Sequence, residues 1–293
     1  MSESIHIPVL LQQVIEYLDP QVGDTILDGT LGGGGYTRAI SERVGSEGKV
    51  IALDQDEQAI KRFDGSFYTN IELHYGNFSE LGNVISGKVL DGAVLDLGIS
   101  SDQLAETERG ISFANRDSPL DMRMDASEDN KLTAWGILNT WSEEEIANAI
   151  YLYGDEPKSR HIAREIVSSR GVGEMETVGD LLDAIDRAKP RRGRINPATQ
   201  TFQALRIVVN NELGALERFL KEIPQYLKPG ARLVVVSFHS KEDRLVKYSF
   251  RALKGEGIAQ ILTPKPIVPS FEESTENPRS RSAKLRALVI NSI

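Results

Sequence analysis

Residues 27–37 read LDGTLGGGGYT. A short apolar run, DTILDGT (24–30), ends on an acid and leads into four consecutive glycines at 32–35. Glycine inside an element costs roughly 0.5–1 kcal/mol relative to alanine. A run of them marks a place where the backbone turns tightly or is approached closely. YTRAISERV (36–44) follows, with Ala39, Ile40 and Val44 at helical spacing. Strand, glycine turn and helix in that order open an α/β unit.

The unit then repeats. KVIALDQD (49–56) predicts a second strand ending in acids, and DEQAIKRF (56–63) predicts a helix with acids in its first turn. NIELHYGNF (70–78) and LDGAVLDLGIS (90–100) predict strands three and four. All are near-continuous apolar runs, as in a parallel sheet covered on both faces. The alternation predicts a doubly wound α/β domain.

From about Ser101 to Val209 the pattern is helical. SEEEIANAIYLYG (142–154) opens with a capping box from Ser142 to Glu145. PKSRHIAREIVSSRG (157–171) has Pro157 at a first helical position and ends at a glycine. TVGDLLDAIDRAKP (177–190) is stopped by Pro190. ATQTFQALRIVVNNELGALERFLKEI (198–223) reads as a long helix, with Phe202, Leu205, Val209, Leu213, Leu216 and Leu220 spaced by threes and fours. Strands return at 231–240, 257–264 and 284–291, and Pro264, Pro266 and Pro269 mark a loop between the last two. The expected organisation is a core of residues 1–103 and 210–293, interrupted by an inserted helical substrate-recognition domain, 104–209.

In open α/β sheets ligands bind at the carboxyl ends of the strands, where strand order reverses. Strand one ends in the glycine turn, strand two at Asp54 and strand four at Asp96. A carboxylate ending strand two suits a ribose diol, because charge-assisted hydrogen bonds are the stronger kind. A dinucleotide site needs G-x-G-x-x-G, so that pyrophosphate meets a helix N-terminus. Gly32 and Gly34 fit that pattern, but the third position is Thr37. A nucleoside without phosphate, S-adenosyl-L-methionine, fits better. An NAD-dependent oxidoreductase is the alternative, and Thr37 counts against it.

Composition narrows the chemistry. The chain has no cysteine, which excludes disulfides, thiolate metal sites and thiol nucleophiles. Methylation at carbon 5 of a cytosine is expected to need a thiolate, so a nitrogen or oxygen acceptor is favoured. The net charge of −9 argues against indiscriminate coating of nucleic acid. Two basic clusters, DRAKPRRGR (186–194) and NPRSRSAKLR (277–286), are nevertheless candidate polyanion sites. Arg191, Arg192, Arg194, Arg279 and Arg281 are the phosphate-contact candidates. The N-terminus lacks a basic n-region, and no apolar run approaches the roughly 18 residues that span a bilayer. A cytoplasmic protein with no membrane contact is the expectation.

Seven strings occur in order between His6 and Arg286: HIPVLLQQVIEYL, DGTLGGGGYT, DLGISSDQL, RGISFANRDSPLDMRMD, ATQTFQALRIVVNNEL, SFHSKEDR and NPRSRSAKLR. Together they resemble the bacterial 16S ribosomal RNA cytosine-N4 methyltransferase family, known as MraW or RsmH. The resemblance implies an α/β fold of the class I (Rossmann-like) methyltransferase type, with a seven-stranded mostly parallel sheet and an inserted all-helical domain. It implies S-adenosyl-L-methionine as methyl donor and no metal. The implied substrate is the exocyclic N4 amine of a cytidine in the decoding region of 16S ribosomal RNA, within the small ribosomal subunit. Oligomeric state stays open between monomer and homodimer.

Carried onto this chain, the resemblance implies cofactor contacts at Gly34, Gly35 and Tyr36, with Asp54 on the ribose and Phe78 near the adenine. Asp96 and Gln103 complete the implied pocket. The family's TLGRGGHS and FHSLEDR read TLGGGGYT and FHSKEDR here, so Gly33 replaces arginine, Tyr36 histidine and Lys241 leucine. A backbone contact at residue 36 survives that exchange, whereas an imidazole-specific role does not. For the chemistry, Asp96, or the carbonyls of Leu97 and Gly98, is the candidate acceptor of hydrogen bonds from the amine. His239, expected at the end of strand five, is a candidate proton relay. Arg123, between Met122 and Met124, either meets RNA phosphate or packs. The target base has to leave its stack to react. A second alternative, a non-catalytic ribosome assembly factor with the same fold, is separable by Asp96→Ala, which would leave such a factor's function intact.

Overall fold

The computed structural model describes residues 8–87, 89–125, 132–171, 173–190 and 196–292. The chain forms two compact units, one of residues up to Asp102 together with Leu213 onward, the other Gln103–Glu212. The first unit starts with α1 (Leu11–Leu18), β1 (Thr25–Asp28), α2 (Gly35–Val44), β2 (Lys49–Asp54), α3 (Glu57–Arg62), β3 (Ile71–Tyr75), β4 (Leu90–Asp96) and the first residues of α4 (Ser101–Ala105). The second unit holds α5 (Ala134–Thr140), α6 (Glu143–Gly154), α7 (Ser159–Arg170), α8 (Val178–Ala188) and α9 (Thr199–Val209). The chain returns through α10 (Glu212–Glu222) to β5 (Leu227–Ser237), α11 (Ser240–Gly255), β6 (Ala259–Ile261), α12 (Phe271–Glu276) and β7 (Lys284–Ile290).

The seven strands form one sheet in the order β3-β2-β1-β4-β5-β7-β6. Strands β1 to β5 pair in parallel, and β7 runs antiparallel to both β5 and β6. Strand order reverses between β1 and β4, which makes their carboxyl ends the expected ligand site. In β1, β2 and β4 the apolar runs are continuous because both faces are covered, whereas β3, IELHY at the sheet edge, is only partly buried. Leu27, Leu53 and Leu95 pack with Phe219 and Phe250 on one side, and Ile26, Val50 and Val94 pack with Val14 and Ile40 on the other. The helical unit has its own core, including Ile137, Ile150, Ile162, Ile185 and Leu205. Its α6 and α8 both start with capping boxes, Ser142 with Glu145 and Thr177 with Asp180.

Local chemistry departs from the sequence pattern in four places. The long helix predicted over 198–223 is two helices, because Asn211 adopts φ 48° between α9 and α10. Asparagine enters the left-handed region at low cost. Beside the break, the Asn210 side chain accepts from the Met124 N–H and donates to the carbonyls of Met122 and Arg206. Pro157 is not the first residue of α7. Lys158 occupies the N-cap, and its N–H donates to the Glu156 carboxylate at 2.9 Å. The proline-marked connection after β6 contains α12 and the 3₁₀ turn Pro278–Ser282. Strand β5 ends at Ser237, so His239 lies beyond it. Among the described residues, no helix is long and apolar enough to cross a membrane.

Candidate active site

Asp28, Asp54 and Asp96 are the last residues of β1, β2 and β4. β1 lies between the other two, so three carboxylates end three adjacent strands. Asp54 accepts the Gly32 N–H on Oδ2 and the Asp56 N–H on Oδ1, each at 2.8 Å. It therefore ties the glycine turn to β2. The cap of α3 is Asp56, which accepts from the Gln58 N–H. Asp28 is fully buried; it accepts the Thr37 hydroxyl at 2.6 Å and the Thr30 N–H at 3.1 Å. Thr37, the residue that breaks the dinucleotide pattern, satisfies a buried acid.

Thr30 does more than accompany Asp28. Its hydroxyl oxygen accepts the Asp96 N–H at 2.6 Å. Just before it, the Gly29 N–H reaches the Val94 carbonyl at 3.0 Å. A side chain thus prolongs the β1–β4 ladder by one step and fixes the backbone from which the Asp96 carboxylate projects.

Burial pushes the Asp28 carboxyl up to about 6, with the charges of Asp96 and Asp54 adding to the effect against the hydrogen bonds from Thr37 and Thr30. Burial likewise raises Asp54 to about 6, against the backbone hydrogen bonds from Asp56 and Gly32. Like charges in a confined site oppose each other's ionisation. The strand ends form a negative locus that a cation would relieve and a pyrophosphate would aggravate.

The glycines are needed first by the protein's own packing. A Cβ at Gly34, which adopts φ 75°, would lie 2.4 Å from the Phe63 ring, and one at Gly35 would lie 2.6 Å from Pro8. The Arg38 guanidinium donates to the Gly33 carbonyl at 2.8 Å and sits 4.7 Å from the Phe63 centroid. Phe63 and Pro8 therefore close on the turn, and Arg38 braces it. Phe78 opens the 3₁₀ turn Phe78–Asn83 and meets Phe219 edge to face at 5.6 Å. Its Cβ would be 3.2 Å from a Cβ at Gly29.

The structure brings Gly34, Gly35, Asp54, Phe78 and Asp96 to this rim, but it commits the Tyr36 side chain elsewhere. That ring is buried, and its hydroxyl donates to the Val9 carbonyl. Burial, together with the charges of Asp96, Asp28 and Glu273, holds the phenol well above its ordinary pKa. The backbone of residue 36, in the first turn of α2, is what it can offer a ligand. Gln103 is buried in α4.

His239 is the N-cap of α11. Its Nδ1 accepts the Glu242 N–H at 3.3 Å, and the Glu242 carboxylate accepts the His239 and Phe238 N–H groups at 3.2 and 2.8 Å. Nε2 lies 3.1 Å from Glu242 Oε1. This is a capping box with an imidazole in the usual hydroxyl position. An accepting Nδ1 places the neutral ring's proton on Nε2.

The model of the MraW methylase family matches residues 3–291. A relative from Acidobacterium capsulatum, named ribosomal RNA small subunit methyltransferase H, is 45% identical, covering 98% of this chain and 99% of its own. One of the same name from Cyanothece sp. is 46% identical, covering 97% and 94%. The chain belongs to the MraW methylase family. Its reversed seventh strand completes the class I methyltransferase fold. Among solved structures, an rRNA methylase from Streptococcus thermophilus aligns with TM-score 0.45 at 12% identity, covering 98% of this chain and 99% of that one.

Within this methylase fold the RNA-contact candidates have different settings. Arg123 makes a bidentate pair with Asp121, both bonds 2.8 Å, between buried Met122 and Met124. Arg279 and Arg281 are exposed in the turn Pro278–Ser282, and the Arg281 Nε donates to the Ser274 carbonyl at 3.2 Å. Lys284 pairs with Ser237, so that turn approaches the sheet at the carboxyl end of β5. Arg191, Arg192 and Arg194 lie outside the described residues. Asp28 and Thr30 were not singled out from the sequence. The available signal was an acid set directly before the glycine turn.

Proposed function

We propose that this chain is an S-adenosyl-L-methionine-dependent methyltransferase acting on the exocyclic N4 amine of a cytidine in small-subunit ribosomal RNA. The observation that carries the proposal is the set of three carboxylates on adjacent strand ends around a glycine turn, in a chain of the MraW methylase family. Such a locus suits a nucleoside that carries positive charge. The relatives' names supply the RNA class.

When bound, S-adenosyl-L-methionine supplies an electrophilic sulfonium methyl. The chain's own residues bind and orient. Asp54 takes the ribose, Phe78 lies by the adenine, and Gln103 completes the pocket. Gly34, Gly35 and the backbone of Tyr36 seat the methionine end. Asp96, held by Thr30, accepts a hydrogen bond from the cytosine amine, whose lone pair is otherwise delocalised into the ring. That acceptor gains strength as positive charge develops on nitrogen, so it lowers the barrier rather than only aiding binding. Proximity and orientation account for much of the rest. With no cysteine in the chain, direct attack by nitrogen is the chemistry its side chains suit. His239 serves by fixing the first turn of α11. The helical unit, with Arg123 and the segment of Arg191, Arg192 and Arg194, holds flanking RNA, as do Arg279 and Arg281.

Mass mapping of small-subunit RNA from cells lacking the protein tests the proposal. One N4-methyl group on a cytidine is expected to be missing, and an unchanged methylation pattern overturns the reading. Calorimetry should show S-adenosyl-L-methionine binding and no heat with NAD.

A further inference from the structure

Helix α11 has sequence SKEDRLVKYSFRALKG and carries bases and acids that look interspersed. Folded, they separate. At about 100° per residue, Lys241, Arg244, Lys247, Tyr248, Arg251 and Lys254 fall within an arc of about 140°. Glu242, Val246 and Phe250 are buried on the opposite side. The two acids of the helix are taken out of play for that arc. Glu242 caps the helix through His239, and Asp243 is held by Arg286 at 2.7 Å and Lys284 at 3.2 Å from β7. The outward face of α11 thus carries five cations, one tyrosine and no acid of its own. Arg244, Tyr248, Arg251 and Lys254 are exposed, Tyr248 by 54%, and the Lys247 ammonium stands 6.0 Å from the Tyr248 ring centroid.

The strip also has a direction. Val236, one residue before the end of β5, pairs with Asp96, and α11 starts at Ser240. The Lys241 end therefore begins at the same rim as the candidate catalytic carboxylate. From there the strip runs about 20 Å to Lys254, with roughly one cation per 5 Å turn. On a protein of net charge −9, the overall field repels a polyanion, so affinity has to come from a local surface. A long acid-free row beside an exposed aromatic ring matches a phosphate backbone and a stacked base.

We propose that this face of α11 is a track for the RNA strand flanking the target nucleotide, with phosphates on Arg244, Lys247 and Arg251 and a base against Tyr248. The inference rests on the reading that the substrate is RNA, and it assigns residues that lie outside both basic sequence clusters.

The test uses the full-length protein with Arg244→Gln, Lys247→Gln and Arg251→Gln combined. Glutamine is a good helix former, and unchanged melting temperature and S-adenosyl-L-methionine affinity verify the fold. Affinity for small-subunit RNA is then measured across a salt series. The triple variant should bind about tenfold or more weakly, and its slope of log K against log salt should fall by about 2–3. Tyr248→Ala should weaken binding by about tenfold with the slope unchanged. A triple variant with wild-type affinity and slope overturns the track, whatever other anion the strip attracts. If the wild-type protein transfers no methyl to the same RNA, the functional reading itself fails. If it does and the triple variant is unaffected, only the track is lost.

Discussion

In the helical unit, opposite charges meet in pairs: Arg123 with Asp121, Arg206 with Glu212, Arg187 with Glu165, and Lys189 with the buried Glu156. At the strand ends of the sheet unit, acids are gathered and buried instead: burial drives Asp28 and Asp54 up to about 6, with nearby carboxylates adding a smaller push. Internal pairing settles a shape without reference to anything outside it. Burying ionised acids lowers the stability of the empty protein and marks a ligand site of opposite charge. On the proposed reading the cationic cofactor belongs to the sheet unit, and the contrast can be broken or sharpened by changing one charge at a time.

The largest effect is expected from Asp96→Asn, which should lower methyl transfer to small-subunit RNA about 100-fold or more. Incorporation of labelled methyl measures it, and a wild-type rate would remove Asp96 from the chemistry. Next comes Asp54→Asn, which should weaken S-adenosyl-L-methionine binding by roughly tenfold or more in calorimetry.

The same locus predicts two opposite pH dependences. A cation prefers ionised carboxylates, so cofactor affinity should fall as pH drops through about 6. The fall should approach tenfold per pH unit for each proton taken up. The empty protein behaves in reverse. Its folded carboxyls hold protons up to about 6, against 3.8 for the unfolded groups, so the folded state binds more protons in between. Stability then declines as pH rises from about 4 to about 6 and levels off above. Thermal melts with and without cofactor should show this crossing, and parallel curves would refute the negative locus.

In the paired unit, Arg123→Met should cost about 1–2 kcal/mol of stability by leaving Asp121 without its bidentate partner, and cofactor affinity should hold. Loss of RNA affinity beyond what the melting shift explains would show that Arg123 also serves phosphate. The smallest effect is expected from His239→Asn, because asparagine is itself a good N-cap, whereas His239→Ala should cost about 1 kcal/mol. A proton relay would appear instead as an altered pH–rate profile in the Asn variant at unchanged stability.

What could be read before folding follows from the range of each signal. Strands β1, β2 and β4 were legible because a buried parallel strand is apolar throughout, the half-buried edge strand β3 because it lies in the same strand–helix alternation, and Ser142 with Glu145 because a capping box is contained in four residues. The break at Asn210 and Asn211 was hidden, since Val209, Leu213 and Leu216 keep helical spacing across it. Asp28 was overlooked because an acid at a strand end looks solvated until the sheet closes over it. The strip on α11 was invisible in one dimension because Glu242 and Asp243 interrupt the charge run, and only the helix turns them inward. That the Tyr36 side chain serves the Val9 carbonyl was equally hidden, since the two lie 27 positions apart.

The residues that close the glycine turn have an implication for the order of folding. Pro8 covers Gly35, the Val9 carbonyl takes the Tyr36 hydroxyl, and the Leu10 N–H donates at 2.7 Å to Glu273, 263 positions away. During synthesis from the N-terminus, the first strands and the turn emerge early, but the carboxylate that secures Leu10 emerges near the end. Contacts of such sequence separation form late. A nascent chain can therefore close Pro8 and Val9 on the glycine turn early, while the tie from Leu10 to Glu273 is made only after α12 has left the ribosome.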